Sequence, residues 1–379
     1  MRTVLEILFW LCAGLLVYAQ FGYPLLIGIF SRPARPAPTL EEDEYVRVTL
    51  IIAAYAEASV IEAKVKNALA LDYPRERLQI IVACDGSPDD TPALARAAGA
   101  DLVLDLPHGG KMAAQNAAVE QATGDLLAFS DANTIWEPDA LRKLVEASAE
   151  PGVDYVCGRV NFVNDTGDNQ EGLYWRYEMW LRARESALRS VTAGNGAIYA
   201  VDPKTYKAIA PVTGHDLTLP FRTVKRGGRA IYAPGARASE AMVPNISGEF
   251  KRKCRMMSFA WPIVLGGGML KPKGYGATYT WMIFSHRVLR YKAPFLHLVA
   301  LITSAILAPA STLYFVLLIL QLALLAAAGL GGVIKFKPLL VARYYVLTTA
   351  SVAIGLFVYL RKGTEQILDE GWTPPEGTR

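Results

Sequence analysis

The chain reads as an α/β protein with a mixed, mostly parallel sheet, joined to transmembrane and interfacial helices. Two patterns predict this. Over residues 47–245, short β-branched runs alternate with helical stretches, and such alternation builds a largely parallel sheet covered by helices on both faces. On either side lie charge-free apolar runs, long enough for a bilayer core that needs about 20 helical residues. Composition agrees. The 379 residues are 52% hydrophobic and only 20% charged, with mean hydropathy +0.23. That is too apolar for an ordinary soluble enzyme and excludes a disordered chain. The net charge of +4 is too small to indicate nucleic acid as a partner.

The apolar runs set the domain organisation. Residues 7–31 carry no charge and no small-residue cleavage site, and Arg32-Pro33-Ala34-Arg35-Pro36 follows, which predicts an uncleaved spanning helix rather than a signal peptide. Residues 293–334 are again uncharged, too long for one span, and divided by Pro309-Ala310-Ser311, which predicts two helices with a tight turn. A last run over 344–360 is near the short limit for a span. The expected division is therefore 1–31 spanning helix, 32–46 basic Pro-rich linker, 47–247 α/β domain, 248–292 interfacial amphipathic helices, 293–360 three spanning helices and 361–379 tail. Arg32 and Arg35, then Arg287, Arg290 and Lys292, then Lys335, Lys337 and Arg343 all agree with residues 32–292 being cytoplasmic. Arg361 and Lys362 disagree: either the last helix is not a true span or the rule is broken there. The expected location is the bacterial inner membrane. Cys12, Cys84, Cys157 and Cys254 form no C-x-x-C pair and are expected reduced and buried.

Within the α/β domain, residues 47–53, 78–84, 101–105 and 126–130 read as strands. Residues 59–71, 91–98, 112–121 and 139–149 read as helices. Ligands of such sheets bind at the carboxyl ends of strands, which directs attention to three loops: Asp85-Gly86-Ser87 after the second strand, Asp131-Ala132-Asn133-Thr134 after the fourth, and Gly109-Gly110-Lys111 between them. Singly, each acid could be a turn residue or a helix cap; two acidic strand ends in this order favour a site. Gly109-Gly110-Lys111 lacks the spacing of a phosphate-binding P-loop, and His108, His215, His286 and His297 are too scattered for zinc. Residues 171–180 are rich in aromatics, which suit either stacking on a ligand or packing on the sheet.

Taken together, these motifs resemble the membrane-bound branch of the family 2 glycosyltransferases. The resemblance runs through Ile51-Ile52-Ala53-Ala54-Tyr55 with Glu57, Asp85-Gly86-Ser87, Gly110-Lys111 with Asn116, Ser130-Asp131-Ala132-Asn133-Thr134 with Pro138-Asp139, Gly194-Asn195-Gly196-Ala197, His215-Asp216, Arg252-Lys253-Cys254-Arg255 and Ser285-His286-Arg287. It implies a GT-A fold, a nucleotide-diphosphate sugar donor (UDP- or GDP-sugar), Mg²⁺ or Mn²⁺, and inversion at the anomeric carbon. The chemistry needs such residues: a nucleoside diphosphate departs with added negative charge, which a cation and basic side chains stabilise, while a base takes the acceptor's proton.

The resemblance implies Asp216 as the catalytic base. It implies donor contacts from Ala54, Glu57, Asp85, Lys111, Asp131, Arg252 and Arg255, with Arg255 at the diphosphate. Metal ligation falls to Asp131 and Asn133, and acceptor contacts to Gly194, Asn195, Gly196, His215 and Trp180. Three positions depart from the family pattern. Asn133 stands where D-x-D puts its second Asp; an amide oxygen can still ligate but carries no charge. His215 replaces the first acid of the E-D pair. Around Arg255 the Q-x-x-R-W motif of processive synthases lacks both Gln and Trp. The expected activity is extension of an exopolysaccharide or lipid-linked glycan at the cytoplasmic face. The alternatives are a single-sugar glycolipid or polyprenyl-phosphate transferase, or a non-catalytic synthase subunit. Membrane lipids are expected partners, and with so few spans an oligomer or export partner would be needed for secretion.

Overall fold

The computed structural model describes residues 1–32, 37–163, 171–208, 214–241 and 246–369; most of the Pro-rich run after Arg32 and the end of the tail lie outside them. Its centre is an eight-stranded sheet: β1 Val48–Ala54, β2 Leu78–Asp85, β3 Leu102–Leu106, β4 Leu126–Asp131, β5 Thr134–Trp136, β6 Val153–Val163, β7 Ile198–Val201 and β8 Arg229–Ala241. Their order is β3-β2-β1-β4-β7-β6-β8-β5. The β3-β2-β1-β4 half is parallel, β7 runs antiparallel to β4 and β6, and β6 pairs parallel with β8. The four strands expected from sequence lie within about a residue of their observed bounds.

The β-branched runs follow from burial on both faces. Along β1, Val48, Leu50, Ile52 and Ala54 enter one core, under the helices Ile61–Leu69 and Ala140–Ser148, while Ile51 enters the other, with Phe129, Tyr155 and Tyr199. Successive side chains of a strand alternate between faces, so both layers are filled from one sequence run. The register sets Ala54 beside Cys84 and Ala53 beside Asp131. The carboxyl ends of β1, β2 and β4 therefore finish level. Cys12, Cys84 and Cys157 are buried and Cys254 is half-buried, all as free thiols.

Four helices are long and apolar enough to cross a membrane: Arg2–Phe30, Gly276–Ala310, Thr312–Leu330 and Lys337–Thr364. Leu313, Phe315, Leu320 and Phe357 are exposed on them, as lipid-facing side chains would be. The break at Pro309-Ala310-Ser311 is observed as a short 3₁₀ turn between two of them. Two boundaries differ from expectation. The last helix starts at Lys337, so it is longer than the charge-free run, because a helix can carry Arg343 near its end, hydrogen-bonded to the Ala328 carbonyl. Residues 276–292, the end of the stretch expected to be interfacial, are instead the first part of the continuous helix Gly276–Ala310, since nothing there breaks a helix. The helix Ile246–Leu265 packs along Lys337–Asp369, with Gly355 against Met257 and the Trp261 indole N–H donating to the Val352 carbonyl at 2.9 Å.

Two single-turn π-helical stretches, Tyr18–Gly22 and Ile283–Val288, meet where the membrane helices join the α/β domain. Tyr18 and Ser285 share a hydroxyl hydrogen bond of 2.7 Å, and the Trp281 indole donates to Tyr18. Just inside, Glu185 is fully buried and accepts from the Tyr23 hydroxyl (2.7 Å) and from the Thr192 N–H and hydroxyl (3.1 and 2.9 Å), while His286 Nδ1 faces it at 2.6 Å.

A second buried charge lies under the β4–β5 turn. Lys64 is 1% exposed; its ammonium donates to the Thr134 carbonyl at 2.7 Å and sits 5.1 Å from the Trp136 ring centre. Burial pushes its pKa down from 10.5 to about 7, and nearby Asp131 offsets only part of this. Between those two values the unfolded chain binds the proton that the folded chain has released, so stability rises with pH across that window. Melting of the detergent-solubilised protein between pH about 7 and about 10 should show the rise, and Lys64→Met should flatten it; identical slopes in the two proteins would contradict the assignment.

Candidate active site

The level ends of β1, β2 and β4 make the floor of the site. At β2, the Asp85 carboxylate accepts from the Gly109 N–H (2.7 Å) and Gly110 N–H (3.0 Å), with His108 Nδ1 3.1 Å away. Asp85 thus ties the loop after β3 to the end of β2 and is buried in doing so. Gly86 is needed here. Its φ is +64°, and a Cβ would lie 2.7 Å from the His108 nitrogen. The exposed side of this corner is an aromatic pair, Tyr55 and His108, with ring centres 5.0 Å apart. Ala54 is buried at the end of β1. Glu57 is buried as well, with its N–H donating to the Thr91 hydroxyl at 2.8 Å, so it pins the loop before the first domain helix.

The helix Lys111–Glu120 begins at Gly110 and aims the Lys111 ammonium at the Asp131 carboxylate, with which it forms an ion pair. Burial works against the lysine's charge, but Asp131, Asp216 and Glu240 outweigh it and raise the pKa. Lys111 also lies above Gly196, where a Cβ would sit 3.6 Å from its nitrogen. Lys111, Asp131 and Gly196 are therefore brought together. Asp216 stands in the first turn of the helix His215–Lys225. Burial raises its pKa; Lys111, the Leu217 N–H, Arg182 and Arg287 lower it without cancelling the rise. A half-buried carboxylate of raised pKa is a stronger base than a free one.

One contributor was not foreseen. Glu240, near the end of β8, is paired with Thr134 of β5 and so comes back over the β4–β5 turn. The Asn133 amide donates to it at 3.4 Å. Burial and Asp131 push its pKa up to about 7, while Arg252 and the Asn133 bond pull the other way. No motif marks Glu240 in the sequence; only the strand pairing exposes it. Among the described residues no three His, Cys, Asp or Glu side chains group as a ready metal cluster. The Asp131 and Glu240 carboxylates lie close enough to act on each other, and the Asn133 amide lies beside Glu240. Two carboxylates and an amide could hold a hard divalent cation, with Glu240 adding a charge that Asn133 lacks.

The acceptor-side residues divide. Gly194 lies at the site's edge: its N–H donates to the Asp216 carbonyl at 2.7 Å, its carbonyl accepts from Arg182 at 2.9 Å, and the Tyr155 hydroxyl fills the place of a Cβ. Asn195 is turned inward, its amide donating to the Gly158 carbonyl at 2.7 Å and its oxygen accepting from Ile198 N–H at 2.9 Å. Its role is to fix the loop. His215 is 2% exposed, set among Phe129, Tyr199 and Tyr206, with a tyrosine hydroxyl on each ring nitrogen. Burial, with Lys111 and Arg222, lowers its pKa to about 3, so it is a neutral core wedge beneath Asp216 rather than an acceptor contact. Trp180 is likewise displaced: it packs over Gly28 of the first membrane helix, under the Arg184 guanidinium. Its helix turns the ring toward the membrane helices because Trp175, five residues earlier, already fills the sheet-side place, donating to the Val160 carbonyl at 2.8 Å. Arg252 and Arg255, on the helix Ile246–Leu265, act on each other, and Arg252 also on Glu240. Arg252 thus approaches the site from the β8 side.

Residues 49–203 match the Glycosyl transferase family 2 profile. The β-monoglucosyldiacylglycerol synthase of Synechocystis is 29% identical over 221 residues, which are 52% of this chain and 44% of that protein. The poly-β-1,6-N-acetyl-D-glucosamine synthase of Staphylococcus aureus is 34% identical over 132 residues, 34% of this chain and 32% of its own. The chain thus spans less than half the length of these curated relatives. A mannosyltransferase of Pyrobaculum calidifontis, solved with GDP-mannose and Mn²⁺, superposes with a TM-score of 0.70 over 93% of this chain and 99% of that one, at 23% identity, which shows a shared fold. Residues 49–203 are thus similar to family 2 glycosyltransferases, carried on a sheet of GT-A-like fold.

Proposed function

We propose that the protein transfers a sugar, with inversion, from a nucleoside-diphosphate sugar to a glycan or lipid-linked acceptor at the cytoplasmic face of the membrane. The observation that carries this reading is the convergence of Asp131, Lys111 and Asp216 around one point at the carboxyl edge of the sheet. The donor's base would lie along the Tyr55–His108 corner and its diphosphate near Lys111 and Asp131. Asp216 would take the proton from the attacking hydroxyl as the bond to the anomeric carbon forms. Lys111, joined by Arg252 and Arg255 from the β8 side, would hold the charge that gathers on the departing diphosphate. Asp131, Asn133 and Glu240 would hold a divalent cation, Mg²⁺ or Mn²⁺, whose chemistry when bound is to neutralise that same charge. The cationic sets flanking the membrane helices support a cytoplasmic active site. The motif around Arg255, lacking the Gln and Trp of processive synthases, favours limited transfer over long polymerisation.

Asp216→Asn should lower transfer by about 10²–10⁴-fold while leaving binding of the Mn²⁺–nucleotide intact; near-normal turnover would remove Asp216 from the base role. Because its pKa is raised, the acid limb of the transfer rate should lie above the range of a free carboxylate. For the cation, Glu240→Gln should raise the Mn²⁺ needed for half-maximal nucleotide binding by about tenfold, and Asn133→Asp should lower it. Unchanged Mn²⁺ dependence in both would show that neither side chain ligates.

A further inference from the structure

Two arginines behind the acceptor side feel Asp216 and Glu185 at a distance but have no carboxylate in direct contact among the described residues. Arg182 and Arg287 are both at least nine-tenths buried. Arg182, on the helix Glu171–Leu188, lies between the Trp175 and Tyr232 rings and donates to the Gly194 carbonyl. Arg287, in the π-helical turn of the membrane helix Gly276–Ala310, donates through Nε to the Thr192 hydroxyl at 2.8 Å, and its two terminal nitrogens meet no acceptor among the described residues.

The nearby carboxylates are already engaged. Glu178 pairs with Arg290, and Glu185 is taken by Tyr23, Thr192 and His286. Neither arginine has a carboxylate within ion-pair distance among the described residues. A guanidinium withdrawn from water is costly unless an anion answers it, and its fork of donors matches phosphate oxygens.

Position supplies the rest. One short loop connects both arginines to the base: Arg287 holds Thr192, Arg182 holds Gly194, and the Gly194 N–H holds the Asp216 carbonyl. Arg287 also stands on a helix apolar enough to cross the bilayer. Charged residues on such helices mark ligand paths.

We propose that Arg182 and Arg287 form an anion subsite that binds a phosphate of the acceptor beside Asp216. The approach along the membrane helix makes that phosphate the headgroup of a lipid-linked acceptor. The subsite is separate from the donor's diphosphate place at Lys111 and Asp131, and it rests on the glycosyltransferase reading given above.

The test uses the full chain in dodecyl maltoside, with dodecyl phosphate as probe and inorganic phosphate as the second arm, binding followed by thermophoresis. Wild type should bind dodecyl phosphate. Arg182→Gln and Arg287→Gln should each weaken it by about tenfold, and Arg287→Lys, which keeps the charge, by less. Arg47→Gln, exposed at the opposite end of β1, should leave it unchanged. Much weaker binding of inorganic phosphate supports a lipid source; equal binding supports the anion subsite but overturns the lipid source. Absence of dodecyl phosphate binding, or unchanged affinity in both Gln variants, overturns the proposal. Mn²⁺-dependent UDP or GDP binding is measured on the same samples. Its retention shows that the variants are folded, and its absence in wild type would count against the donor reading without touching the phosphate result.

Discussion

The site depends on one ammonium group. Lys111 is held by Asp131 and lies within electrostatic reach of Asp216 and Glu240. These acids come from the ends of three separate elements, β4, the helix after Gly214 and β8. Like charges gathered at a sheet edge repel each other. The lysine lets them stay close, and the same positive charge would suit the diphosphate of the proposed donor. Gly196 leaves the lysine room to reach over.

Much of the parallel half was legible because its strands are buried on both faces and so read as continuous apolar runs. Asp85 and Asp131 stood out as acids at the ends of two such runs. The antiparallel half was less legible. β5 and β7 span three and four residues, too short for any period to register, and β8 is interrupted by Pro234-Gly235. Glu240 was missed for that reason: it belongs to the site through its pairing with β5, a contact between residues far apart in sequence.

The acceptor residues show the opposite failure. His215 and Trp180 were inferred from their place in a motif and from their chemistry, but packing decides where a side chain goes. An imidazole beside Asp216 could have faced the cleft. Instead three aromatic rings enclose it, and its nitrogens are met by tyrosine hydroxyls. Gly194 and Gly196 do lie beside Asp216 and Lys111, since a residue without a side chain is informative wherever backbone and ligand or neighbour must come close. Arg182 carried no signal at all, and Arg287 was marked only as part of the Ser285-His286-Arg287 motif and as a basic residue flanking a membrane helix.

The paired π-helical turns at the seam determine more than local shape. Each widens the winding by one residue, and so changes the angular phase between the helix before it and the helix after it. In the Gly276–Ala310 helix this phase offset lets His286 and Arg287 point into the enzyme while the following turns offer their apolar faces outward. Shortening the turn by a single residue would rotate everything beyond it by about 100°, swinging either the arginine into hydrocarbon or the greasy face into protein. The seam therefore acts as a phase setter, and single-residue length changes there would be felt more sharply than most substitutions.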